Sequence, residues 1–390
     1  MMQAASGNVA DLIEQVKFKE ASDRNRSKNK SAPTVTIGIE EPIAWTMLFD
    51  FDVNRYFSDP RFYVEQTLRQ KLWKFDNVDD DAGLTRDVPA WLGHYPEYTF
   101  VGMEVVFTPG GVPHIQDDHP LTRAPDLTLL QPVDFYSSGW MPRILRWYDE
   151  IEAIVGGRLE VPFNMTWGRG PLDLAIQLRG YDNFVADTAE RPAFVHDLLK
   201  FLTEQRCRWW EMYYRHFGLK PSSTFISDDW INVPFISPNI FAEFVLPRYL
   251  EIEKYHGGIR GIHSCGNTVP LQCYLLEIKS LQGFEVSAWT DLAQTLINLP
   301  PPRPLWISVH PNNVLCDSAE TMRSKIKFIK EACRGRKFNL STSGLTPLTA
   351  EEGKYVASIQ TWLHAARELL SLRSLPAGKM PNVGLNHHSG

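Results

Sequence analysis

The sequence predicts an α/β fold of the TIM (β/α)8 barrel type, with an inserted hairpin excursion near residues 84–135. Eight short apolar or β-branched runs recur along the chain, most of them followed by a longer segment with helical spacing. Eight strand–helix units in about 350 residues are the usual measure of such a barrel with insertions. No GxGxxG turn follows the first run, so the doubly wound open sheet lacks its phosphate-binding signature.

The expected strands are residues 35–39, 72–78, 159–165, 224–226, 259–263, 284–287, 305–309 and 338–341. Helical periodicity is clearest over 193–216, 239–255, 318–333 and 350–370. Ser318 ahead of Glu320 and Thr321, and Thr349 ahead of Glu351 and Glu352, supply helix starts. Residues 84–135 interrupt this rhythm with Pro, Gly and aromatic residues and one expected strand at 98–107. The domain plan is a flexible lead-in over 1–32, one barrel over 33–374 and a flexible tail over 375–390, where His387 and His388 are read as tail residues.

Composition bounds the function. A chain of 390 residues, 43% hydrophobic and 22% charged, has the balance of an ordinary globular protein. Its net charge of −6 is spread along the chain, which argues against a nucleic-acid or anionic-membrane partner. No run approaches the ~18 apolar residues of a membrane span, and residues 1–15 lack the core of a secretory signal, so a cytoplasmic location is expected. Five irregularly spaced cysteines fit a reducing compartment. Twelve tryptophans leave two readings open, an aromatic core and a ligand pocket.

In a barrel the active site sits at the carboxyl ends of the strands. Polar residues gather at those ends: Asn164, Thr166 and Trp167 in the third; Asp228, Asp229 and Trp230 after the fourth; His263, Cys265 and Asn267 at the fifth; His310 after the seventh; Ser343 after the eighth. His263 and Cys265 stand two apart, and such side chains share one face of an extended segment, so imidazole and thiolate can reach one ion. Asp228, Asp229 and His310 are the candidate acid–base groups, with one of the two aspartates placed in the site and the other left to helix capping. Asn164, Trp167, Trp230, Asn267 and Ser343 are the candidate substrate contacts. Glu40 and Glu41 read either as a surface pair or as an acid pair facing the same mouth.

Between about residues 95 and 370 the chain resembles the uroporphyrinogen decarboxylase superfamily, and within it the corrinoid and zinc-linked methyltransferases. The likeness rests on residues 100–105 with Gly111-Val112-Pro113, on Gly170-Pro171-Leu172-Asp173-Leu174-Ala175 ahead of Arg179-Gly180, and on Arg191-Pro192. It continues through Asp228-Asp229, Ile236-Ser237-Pro238, Leu246-Pro247-Arg248-Tyr249, residues 263–267 and residues 340–352. The resemblance implies a barrel in which zinc, in thiol-alkylating members, is held by a His and a Cys like His263 and Cys265 plus a second Cys after the eighth strand. Ser343 stands at that last position, and a neutral hydroxyl is a poor zinc ligand. If zinc binds, a carboxylate, Asp228 or Asp229, has to complete the set.

The resemblance implies methyl transfer between a small methylated donor, a methyl ether or methylated amine, and the cobalt of a corrinoid. A corrinoid domain would need about a hundred further residues, so a separate corrinoid protein is the expected partner. The alternatives are a zinc-dependent thiol alkyltransferase, a decarboxylase-type enzyme and a noncatalytic binding barrel. The decarboxylases themselves resemble one another in an arginine-rich loop that binds propionates, whereas residues 40–45, Glu-Glu-Pro-Ile-Ala-Trp, are acidic and apolar here. A homodimer is the ordinary expectation for an enzyme of this size.

Overall fold

The barrel pattern is set by parallel pairing of short strands. The computed structural model describes residues 8–23, 33–108, 111–116, 118–301, 303–349 and 351–370. Strand β1 (Val35–Thr36) pairs with β8 (Phe338–Thr342), β8 with β7 (Leu305–Val309) and β7 with β6 (Phe284–Val286), all parallel. Strand β4 (Thr224–Ser227) pairs in parallel with β5 (Ile259–His263), and Gln282 N donates to Arg260 O at 3.3 Å where β5 approaches β6. Two irregular segments continue the order. Residues 86–90 lie parallel to 160–164, with Val88 N on Glu160 O and Ala90 N on Pro162 O, both at 2.8 Å. Residues 168–170 then exchange backbone bonds with Ser227 of β4. On the free edge of β1, carboxylates replace a strand: Asp80 Oδ2 accepts from Ile37 N at 2.8 Å and Asp81 Oδ2 from Val35 N at 2.9 Å. Each of these bonds satisfies a backbone donor that a continuous ladder would have used.

Several sequence expectations change. Residues 72–78 close the helix Pro60–Asn77 rather than form a strand. That helix starts on Asp59, which caps Arg61 and Phe62, and it buries Tyr63, Val64, Leu68 and Leu72; the apolar run is its inner stripe. The second barrel segment is 86–90, inside the stretch read as an excursion. What remains of the excursion is the helix Pro96–Phe100 and an antiparallel pair, β2 (Val105–Val106) with β3 (His114–Ile115), so the strand expected over 98–107 shrinks to its last residues. The lead-in is also corrected in part. Val9–Ala21 is a helix capped by Asn8 that buries Val9, Leu12, Ile13 and Val16 against Pro60–Asn77. The basic stretch from Arg24 to Lys30 and the tail over 375–390 lie outside the described residues.

The long helices follow their periodicity. Pro192–His216 has Pro at its first turn and buries Val195, Leu198, Leu199, Leu202 and Trp209. Ala319–Ala332 is capped by Ser318, and Glu352–Leu369 packs against it. The helical span expected over 239–255 is one run with a π-turn at Phe241–Val245 where Pro247 interrupts the ladder. No helix among the described residues is long and apolar enough to cross a membrane.

Candidate metal centre and adjoining cavity

The ends of β4 and β5 and the middle of β6 bring four polar side chains together. Ser227 and His263 are register partners, so the residues that follow them emerge side by side. Asp229 Oδ1 lies 3.2 Å from Cys265 Sγ and 3.5 Å from His263 Nε2, and Cys265 Sγ lies 3.4 Å from that same nitrogen. Zinc bonds of about 2.0–2.3 Å at tetrahedral angles separate donor atoms by about 3.3–3.7 Å. The three donor atoms therefore already stand at the spacing of one tetrahedral face, and their N, S and O chemistry is what zinc takes. A zinc ion held by these three alone would keep one position open, as catalytic zinc sites do.

Neighbours tune two of these side chains. Glu285, in the middle of β6, places its carboxylate oxygens 2.8 and 3.0 Å from His263 Nδ1, which turns Nε2 toward the cluster. Burial opposes the charged imidazole, but the bonds to Cys265 and Glu285 outweigh it and push the His263 pKa up to about 10. A metal ion at Nε2 would have to displace that proton. Burial also works to raise Asp229, yet Arg169 overrides it and holds the carboxyl below its ordinary range. Arg169 Nη1 bonds Asp229 Oδ2 at 2.7 Å and Asp173 Oδ2 at 2.6 Å. Asp173, 1% exposed, is pushed up to about 6 by burial against the pull of Arg169.

Other candidates fall in different places. Asp228 is fully buried: Tyr249 Oη and Leu172 N donate to its Oδ2 at 2.9 and 3.2 Å, and burial beside Asp173 raises its pKa well above a normal carboxyl. It ties β4 to the helix Pro171–Arg179 with no exposed surface, whereas Asp229 is the aspartate that meets His263 and Cys265. Trp167 has no exposed surface; it packs on Phe100, and its carbonyl accepts from Trp210, so it belongs to the aromatic core rather than to a substrate face. Trp230 stacks on Tyr181 at 5.3 Å and meets Phe235 edge-on. His310 lies outside the ligand cluster; its Nδ1 accepts from Asn312 N and its ring meets Trp289 edge-on at 5.4 Å. Asn267 Oδ1 caps Val269 N, and Ser343 N donates to Val309 O after β8. Asp229, not Ser343, completes the group of three side chains that could hold a metal ion.

Beside this centre lies a cavity of about 590 Å³ whose wall includes Glu40, Glu41, Trp45, Trp91, His94 and Asn164. His94 links the two spaces: Arg169 Nη2 reaches its carbonyl at 3.5 Å, and its imidazole pKa is lowered by burial and by the Arg169 charge, with Asp229 opposing. Glu40 and Glu41 thus face a cavity. Sequence reasoning missed Glu285, Arg169 and His94. An acidic residue inside the apolar run 284–286 was the available signal for Glu285; Arg169 and His94 lie in irregular segments that carry none.

Residues 97–352 match the family model of uroporphyrinogen decarboxylase (URO-D). Among solved structures, a methyltransferase from Methanosarcina mazei superposes with a TM-score of 0.62 at 15% identity, covering 91% of this chain and 98% of that one. That likeness is one of fold. No curated protein sequence matches the chain. With the family model spanning well over half of its residues, the chain belongs to the uroporphyrinogen decarboxylase family.

Proposed function

We propose that this protein transfers a methyl group between a small methylated donor and the cobalt of a corrinoid carried by a separate protein, with zinc held by Asp229, His263 and Cys265. The observation that carries the reading is the donor spacing of 3.2–3.5 Å in a three-residue N, S, O set, with Glu285 ordering the imidazole from behind. Bound zinc would supply a Lewis acid with one open position. The protein's own residues do the rest. Arg169 keeps Asp229 ionised, Glu285 fixes His263, and the cavity beyond His94 is large enough for a small donor. Exposed apolar side chains follow several strands on the same end of the fold, among them Met47, Phe235, Trp289 and Leu348, a surface suited to a docking protein. The family's named decarboxylation fits poorly, because the segment after β1 sets Glu40 and Glu41, not arginines, in the cavity wall.

A second reading has an observation of its own. A set completed by Asp229 would leave one open position for a thiol, which favours a thiol as methyl acceptor. One assay addresses both. Zinc-loaded protein is mixed with cob(I)alamin and methylated amines or ethers, or with methylcobalamin and simple thiols, and the corrinoid spectrum is followed. Methylation or demethylation of cobalt that disappears in Cys265→Ser is expected. No spectral change with any donor or thiol would sink the proposal.

A further inference from the structure

The cavity carries a charge pattern that the metal centre does not use. Glu40 and Glu41 both line it, and among the described residues neither lies within 4.0 Å of a Lys, Arg or His nitrogen. The lysines of the same wall are engaged elsewhere: Lys71 Nζ bonds Asp87 at 2.7 Å, and Lys74 Nζ bonds Asp80 at 3.1 Å and Ile37 O at 2.9 Å. Burial raises the pKa of both glutamates; at Glu41, which keeps exposed surface, it outweighs the Trp45 side chain and the more distant charges of Lys74 and Lys71, which pull the other way. Gly344 has no side chain where a Cβ would fall 1.8 Å from Glu40 Oε2, so the backbone after β8 leaves room for this carboxylate. Much of the remaining wall is aromatic, including Trp45, Tyr56, Tyr63 and Trp91. Gln70, 6% exposed, also lines the cavity, and its Nε2 has no hydrogen-bond partner.

Aromatic side chains joined to carboxylates without a close counter-ion form the chemistry that holds a methylated ammonium ion: the rings take the apolar methyl groups and the diffuse charge, and the carboxylates take the countercharge. A neutral methyl ether would leave both glutamates without a close countercharge, and an anionic donor would be repelled. The unmatched Gln70 amide calls for an oxygen acceptor on the same ligand. We propose that this cavity binds a small methylated ammonium ion bearing a hydroxyl or carbonyl oxygen, and that this class supplies the methyl donor. The donor role rests on the methyl-transfer reading above; the binding does not.

The test is calorimetric titration of the zinc-loaded full chain with choline and with 3,3-dimethylbutan-1-ol, its neutral isostere. Choline is expected to bind and the alcohol to bind at least about tenfold more weakly. Glu40→Gln with Glu41→Gln should weaken choline by about tenfold or more, with Glu41→Gln alone as the fallback if the double variant melts early. Gln70→Leu should weaken choline more than it weakens tetramethylammonium. No choline binding, equal binding of the alcohol, or undiminished binding in the glutamate variants would overturn the proposal. The two readings fail separately. Cobalt methylation from an ether, with no choline binding, leaves methyl transfer standing and removes the ammonium site. Choline binding without any methyl transfer does the reverse.

Discussion

Gly261→Ala strikes the floor of the candidate metal centre. Gly261 sits on β5 two residues before His263, on the same face of the strand. A Cβ built there would lie 2.4 Å from Trp306 Cζ3 and 2.9 Å from both Trp306 Cη2 and Phe225 Cε2. The Trp306 ring also crosses Gly283, with Cζ2 3.1 Å from that residue's would-be Cβ, so one indole is laid over a glycine on β5 and another just ahead of β6. An ordinary carbon contact needs about 3.5–4.0 Å, so the ring must retreat by about 1 Å or β5 must bend. Overpacking of this kind costs about 1–3 kcal/mol. Urea unfolding of the metal-free protein should show a loss in that range with an unchanged m-value. Because the strained residue stands next but one to a ligand, zinc affinity should fall as well. Adding Trp306→Leu should recover part of both losses, a coupling that a double-mutant cycle measures. A Gly261→Ala protein as stable as the parent, or a loss indifferent to residue 306, would refute the packing argument.

Three further outcomes follow from the same geometry. Glu285→Gln should lower zinc affinity by about 10–100-fold in a chelator competition, since it removes the charged acceptor behind His263 Nδ1; unchanged affinity would deny that role. Asp228→Asn should leave zinc content intact and cost no more than about 1.5 kcal/mol, because the buried acid is already pushed toward its neutral form and asparagine copies its shape, whereas Tyr249→Phe should cost about 1 kcal/mol by removing the donor. His256 supplies a pH test. It is 3% exposed, Arg206 Nη1 lies 3.0 Å from its Nε2, and burial with that positive neighbour lowers its pKa from 6.5 to about 3. Between those values the unfolded chain binds a proton that the folded chain does not, so His256 stabilises the fold fully above about pH 6.5 and loses that contribution by about 1.4 kcal/mol per pH unit as pH falls toward 3. His256→Gln should flatten the stability profile in that window, measured by urea unfolding; an unaltered slope would contradict it.

How far the sequence reveals this molecule depends on which interactions are local. Strands β4 to β8 are contiguous apolar runs with polar residues directly behind them, so both their existence and the position of His263 and Cys265 are legible. The first half of the barrel is not. Residues 86–90 pair through a few bonds without a sustained run, and β1 is finished by the side chains of Asp80 and Asp81, an arrangement with no periodicity to read. Residues 72–78 mislead because the inner stripe of a helix end can look like a strand over seven residues. In the site, the adjacency of Asp228 and Asp229 ensures that only one can face the cluster, but which one depends on the Tyr249 and Arg169 contacts made across elements. The cavity is less legible still. Its wall is drawn from β1, the helix Pro60–Asn77, the 89–94 loop and residue 344, which are far apart in the chain.

Asp229, His263 and Cys265 are proposed to hold one zinc ion. Elemental analysis of the purified, untagged protein beside Asp229→Ala, Cys265→Ser and Asp228→Asn tests it most directly. About one zinc per chain is expected in the parent and in Asp228→Asn, and loss of the metal in the other two, all four proteins remaining folded. Zinc retained in Asp229→Ala, or absent from the parent after growth and dialysis with zinc, would contradict it.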